Sequence, residues 1–254
     1  MRYAHGWFVW VMIAMVLAGC ETVPSARVHY SLKQDPSSRS LEQVVLMPLD
    51  VDVYEMSAGG LKEEVPAWSD KAKANVRNAL LISKGTGGKC CVSRPVDTSV
   101  LTPEQRQTLE EHLALFDLLA ANALWLAFPD NTAWHFKNEH FDYTLGDGLS
   151  FLKTEYGVDG GLIVMGEDVV SSTGRKLTAL VGAAFGIVVP MGHSFLAVGL
   201  VDFASGDLLW MNHEIAAGDA DLRDSHSCQT MVRRLMEGYP GLQASGGSVS
   251  RTGE

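Results

Sequence analysis

GLVDFASGDLLW, residues 199–210, decides the fold. Apolar and small side chains alternate on entry, with Phe195, Ala197, Gly199 and Val201 on one side of a strand expected over residues 194–203. Ser205, Gly206 and Asp207 are turn formers, and residues 208–213 return as a second strand, so the segment reads as a β-hairpin. Upstream, residues 161–170 (GLIVMGEDVV) read as a further strand followed by a turn over residues 171–174. Near the amino end, residues 44–54 (VVLMPLDVDVY) give a buried apolar run and then strict alternation, Leu49, Val51 and Val53 against Asp50, Asp52 and Tyr54. This is the expected first strand, and Pro48, which cannot donate to a ladder, marks an edge position or a bulge.

Helices fill the spaces between. Ala72, Val76, Ala79, Leu80 and Ile82 recur at helical spacing before a stop at Gly85. Thr102, Pro103 and Gln105 form a helix start with a capping box, and Leu109, Leu113, Phe116, Leu119, Ala120 and Ala123 continue it to about Trp125. A short helix is expected from Asp147 as cap to Tyr156, with Gly157 as its left-handed stop. Residues 221–238 close the domain as a helix capped by Asp219 or Asp221, with Arg223 paired across the surface. The order predicts the α+β class: a mixed β-sheet of four to five strands flanked by helices, with a carboxy-terminal β-hairpin followed by a helix.

The amino terminus carries an address. Arg2, an apolar stretch over residues 6–16 and the small residues Ala18 and Gly19 before Cys20 have the layout of a secretion signal. The apolar run stops short of the roughly 20 residues a bilayer span requires. Leu17-Ala18-Gly19-Cys20 resembles the lipobox of bacterial lipoproteins. That resemblance implies that the Cys20 thiol carries diacylglycerol, with palmitate-type acyl chains, after removal of residues 1–19. Acyl chains contribute about 0.8 kcal/mol per buried methylene, and several together make an anchor that does not release. Glu21, where an inner-membrane retention signal would have Asp, favours the periplasmic side of the outer membrane. The expected organisation is residues 1–19 as signal peptide, 20–40 as lipidated flexible tether, 41–240 as a single periplasmic domain and 241–254 as a disordered tail.

Composition narrows the partners. Of 254 residues, 46% are hydrophobic, enough for a substantial core, and the formal net charge is −10. Removing residues 1–19 takes away Arg2 alone among the charged residues, which leaves 19 cations against 30 anions. Such a domain repels phosphate backbones and anionic head groups, so neither a nucleic acid partner nor electrostatic membrane binding is expected, and the lipid is expected to do the tethering. Residues 85–89 (GTGGK) suggest a phosphate loop, but the first glycine of that motif would fall on Ser83, and Cys90 stands where a magnesium-binding hydroxyl is needed. No nucleotide and no other cofactor beyond the covalent lipid is expected.

In an oxidising periplasm Cys228 is expected to pair with Cys90 or Cys91, worth about 4 kcal/mol in the loop-entropy picture. Three buried reduced thiols are the alternative. His135, Glu139, His140 and Asp142 are zinc-type ligands, yet their spacing fits neither HExxH nor its inverse, so no metal site is expected. Gly192-His193-Ser194-Phe195-Leu196 comes within one residue of a nucleophile elbow, with Asp207 and His213 downstream, but Leu196 replaces the glycine and a strand follows where a helix should open. No catalytic residue is therefore assigned. Trp125, Trp134, Phe136, Phe141 and Tyr143 form an aromatic group, either core or facing a partner.

VVLMPLDV at residues 44–51, residues 156–166 (YGVDGGLIVMG) and the hairpin of residues 199–210 together resemble a group of envelope proteins. The group comprises periplasmic lipoproteins of the curli-secretion type, penicillin-binding-protein activator lipoproteins and the amino-terminal domain of the Tol-system propeller protein. The shared motifs are structural, and the members differ in function. Residues 177–191 (LTALVGAAFGIVVPM) depart from a minimal domain of this kind and are expected to be a core or oligomer-interface segment; they lack the alternation of a barrel wall, so membrane insertion is the weaker expectation. The functional expectation is a non-enzymatic binding or assembly module of the cell envelope, joined to the membrane by its lipid, that associates with an envelope protein or with itself. Its alternatives are a subunit of an outer-membrane secretion pore and an envelope-polymer hydrolase using Ser194.

Overall fold

The computed structural model describes residues 26–36, 39, 41–83, 92, 94–126, 137, 140–218 and 220–240. Its strands are β1 (Arg27–Val28), β2 (Val44–Leu46), β3 (Asp50–Met56), β4 (Lys62–Glu64), β5 (Gly160–Ser171), β6 (His193–Asp202) and β7 (Leu208–Ala217). Its helices are α1 (Tyr30–Gln34), α2 (Pro66–Ile82), α3 (Pro103–Leu126), α4 (Ser150–Tyr156), α5 (Thr173–Ala184) and α6 (Ser225–Leu235). The strands form one mixed sheet in the order β1-β7-β6-β5-β3-β4, with β2 also paired to β5. β5, β6 and β7 are an antiparallel meander, and β2 and β3 run parallel to β5. The class is the expected α+β, with more strands than the four to five expected because β1, β4 and the divided first strand add to it.

The division of that strand lies at Pro48. Leu46 pairs with Leu162 and Asp50 with Met165, so four steps along this chain match three along β5. One extra residue is a bulge, and it reverses the alternation. Ahead of it Val45 and Met47 enter the core on one face of the sheet; beyond it Val51 and Val53 enter the core on the other. The proline thus stands at a bulge rather than on an exposed edge.

Each face is covered by helices. α2 supplies Ala72, Val76 and Leu80, and α6 supplies Cys228, Val232 and Leu235, against Leu196, Val198 and Leu200 of β6. On the opposite face α3 and α4 pack Leu109, Phe116, Ala120 and Leu152 against Ala197 and Val201. The Val, Leu and Phe side chains among these contribute about 1.5–3 kcal/mol each when fully buried. The capping box forms: Thr102 N–H donates to Gln105 Oε1 at 2.9 Å, and Gln105 N–H to Thr102 Oγ1 at 3.2 Å. Gly157 ends α4 at φ 62°.

Four expectations change. Residues 26–36 were expected in the tether, but Arg27 and Val28 pair with Met211 and Trp210 of β7, and α1 follows at once. Asp147 does not cap; it lies in a 3₁₀ turn (Asp147–Leu149) that leads into α4. The cap of α6 is Asp224, whose carboxylate accepts Ser227 N–H at 2.8 Å, because Asp221 is held by Arg223; Asp219 lies outside the described residues. The turn expected over residues 171–174 is instead the start of α5, with Ser172 accepting Arg175 N–H at 3.2 Å.

Candidate interaction surface

α5 and the return leg that follows it are the part of the fold that is not explained by packing. Leu177, Leu180 and Val181 form an i, i+3, i+4 stripe on α5, exposed at 61%, 70% and 52%. Phe185, Ile187 and Val188 continue it at 78%, 60% and 91%. The segment expected in the core or at an interface is therefore not in the core of this chain. Contiguous apolar exposure of this kind marks an interaction site on a soluble domain.

The backbone beneath the stripe is fixed. Phe185 and Ile187 N–H groups both donate to Gly182 O, at 2.9 and 2.8 Å. A Cβ on Gly182 would lie 3.1 Å from Val189 Cγ2 and 3.2 Å from Ile187 O, so glycine lets the return leg close onto the helix. Arg175 staples the far end: its Nε and Nη2 donate to Pro190 O at 3.1 and 2.9 Å, and Nη1 to Ala58 O at 3.3 Å. Ser171 Oγ accepts Gly192 N–H at 2.9 Å where the leg rejoins the sheet. The apolar side chains are thus displayed on a preorganised hairpin.

The residues of the hydrolase alternative are dispersed. Ser194 is fully buried at the start of β6, its hydroxyl 2.7 Å from Asp168 Oδ1 and 3.2 Å from Ala220 O. Asp168 is itself fully buried, its second oxygen accepts Leu222 N–H at 2.9 Å, and burial pushes its carboxyl above the usual range. The pair ties the segment before α6 to the sheet. Asp207 lies at the opposite end of the hairpin, bound to Arg39. His213 faces Ala197 across the ladder, its imidazole held below its ordinary pKa by burial and Arg27. His193 is beside Glu167, at 3.5 Å.

Of the other singled-out residues, Phe141 is core, with Tyr143 half-buried and edge-on to it at 5.4 Å between ring centroids. Trp125 is carried by α3, while Trp134 and Phe136 lie outside the described residues. Cys228 is buried on α6, where burial pushes its thiol up to about 12. Cys20, Cys90 and Cys91 lie outside the described residues, as does the whole expected signal peptide. Among the described residues no three His, Cys, Asp or Glu side chains gather as metal ligands, and no helix is long and apolar enough to cross a membrane. A groove of about 760 Å³ runs between Ile82 and Ser83 at the end of α2 and His226, Gln229 and Arg233 of α6.

No family model matches the chain, and no curated protein matches it. Among solved structures the chain is similar to the PelC dodecamer from Paraburkholderia phytofirmans, at 10% identity and a TM-score of 0.34, over 86% of this chain and 98% of that one. It is also similar to the LpoB C-terminal domain from Salmonella enterica, at 15% identity and a TM-score of 0.25, over 74% and 90% of the two chains. Both are distant likenesses.

Proposed function

We propose that this chain is a cell-envelope lipoprotein, held by acylated Cys20 on the periplasmic side of the outer membrane, that works by binding rather than by catalysis. The observation that carries the reading is the rigid display of six exposed apolar side chains on α5 and its return leg. The lipobox-like sequence at residues 17–20 supplies the address. The burial of Ser194 against Asp168, away from His213 and Asp207, weighs against the hydrolase alternative. Mass spectrometry of the amino-terminal peptide, purified from membranes, tests the address. Diacylglyceryl and palmitoyl additions on Cys20, lost in Cys20→Ala, are expected; an unmodified thiol in the membrane-derived protein removes the reading.

A further inference from the structure

The topology relates the apolar hairpin to the start of the described chain. Val169 of β5 pairs with His193 of β6, and His193 with Ala217 of β7. α5 leaves from Ser171 and its return leg re-enters at His193, so the apolar hairpin projects from that end of the sheet. β1 is antiparallel to β7, with Val28 on Trp210 and Arg27 on Met211. Read backwards, the chain therefore heads along β7 toward Ala217, the same end. Ala26, where the described chain begins, is six residues from Cys20, a reach of at most about 20 Å. The described chain thus begins on a strand whose amino-terminal direction is toward the end of the sheet that carries the apolar hairpin.

Charge along the segment itself fits this placement, while Glu55, level with Val170, and Glu63 stand exposed at the same end of the sheet. The chain carries a net charge of −10, yet between Asp168 and Asp202 there is no acidic residue, and the charged side chains there are Arg175 and Lys176, with His193 at the strand start. Lys176 is exposed beside Leu177 and Leu180. An apolar stripe with cations at its margin is the pattern of a helix that lies in the interface of an anionic bilayer.

We propose that the stripe of α5 and residues 185–191 rests in the surface of an anionic phospholipid bilayer, beside the acyl chains of Cys20. A second copy of the chain fits less well, because nothing about self-association would require the stripe to share an end with the anchor. The proposal deepens the lipoprotein reading and rests on it for the position of the anchor. It gives the domain a second, non-covalent contact that fixes which way it faces on the membrane.

The test uses residues 21–254 without lipid, which retain every described element, and vesicles of phosphatidylethanolamine and phosphatidylglycerol at 3:1. The chain is expected to float with the vesicles. Phe185→Ser with Val188→Ser is expected to lower the bound fraction at least tenfold with an unchanged circular dichroism spectrum, since both side chains are exposed. Lys176→Gln is expected to weaken binding to these vesicles and not to pure phosphatidylcholine. A chain that stays in the soluble fraction overturns the proposal, as does binding indifferent to the double substitution. Lipid-free dimers in sedimentation that the double substitution dissociates, without vesicle binding, assign the stripe to a second copy and overturn it too. Acylation of Cys20 is read separately, so loss of the anchor and loss of the bilayer contact are distinct results.

Discussion

Replacing Ser194 with alanine removes a proton donor from a carboxylate that has no access to water. Asp168 keeps Leu222 N–H on Oδ2 at 2.9 Å and loses the 2.7 Å hydrogen bond on Oδ1. A hydrogen bond to a charged group contributes about 1.5–3 kcal/mol, so the loss at pH 8 is expected near 2–3 kcal/mol. The pH dependence follows from the shift. Burial raises the Asp168 pKa and the Ser194 hydrogen bond opposes that rise. A carboxyl raised in the fold contributes its stability fully below its unfolded pKa, about 3.9, and loses it as pH climbs through the folded value. Ser194→Ala raises the folded value further, so its cost grows with pH. At pH 4, where more of the carboxyl is protonated, the cost should be smaller than at pH 8. Urea unfolding at pH 4 and pH 8 measures both. A loss below about 0.5 kcal/mol at pH 8, or one of equal size at both pH values, refutes the account. A fluorophosphonate probe provides a second check, since a nucleophile would be labelled at Ser194 and a buried structural hydroxyl would not.

Asp117 on α3 is pushed up to about 6 by burial and by the charge and hydrogen bond of Asp50. Asp117→Asn should therefore stabilise the fold at pH 8 by about 1 kcal/mol after allowance for solvent screening, with the gain vanishing below pH 4; a gain that persists at pH 4 contradicts it. Gly199 lies under Phe116, whose Cε2 would be 2.3 Å from an added Cβ, so Gly199→Ala should cost about 1–3 kcal/mol in thermal or chemical unfolding. Thr102→Ala breaks the capping box of α3 and should cost about 1 kcal/mol, with a smaller effect for Thr102→Ser. Non-reducing peptide mapping should find Cys228 joined to Cys90 or Cys91; a thiol that is instead free, buried and raised, and alkylated only once the protein unfolds, contradicts that pairing.

The legible parts of this fold are those where local chemistry and tertiary placement agree. Thr102 and Gln105 can satisfy each other's backbone donors wherever the helix packs, and Gly157 stops a helix because of its own freedom at positive φ. The hairpin of β6 and β7 follows from alternation and turn residues alone. The address proposed at Cys20 rests on a local pattern alone and lies outside the described residues. β1 escaped notice because two residues, Arg27 and Val28, show no periodicity; their strand exists only because Met211 and Trp210 offer an open edge. Pro48 signalled a break but could not say how the pairing resumes, since the extra residue is defined by the register on β5.

For residues 177–191 only the core half of the expectation is overturned, and for a deeper reason. Apolar composition predicts burial only if the chain has a face left to cover, and here both faces of the sheet are already covered by α2 with α6 and by α3 with α4. A fifth helix leaving the end of β5 has no sheet surface beneath it, so its leucines stay exposed whatever their hydrophobicity. The same accounting explains why the hairpin is stapled by Arg175 to Pro190 and Ala58 rather than by a core. A segment that keeps apolar side chains in water and holds its shape by polar bonds to backbone carbonyls is the surface on which the bilayer proposal rests.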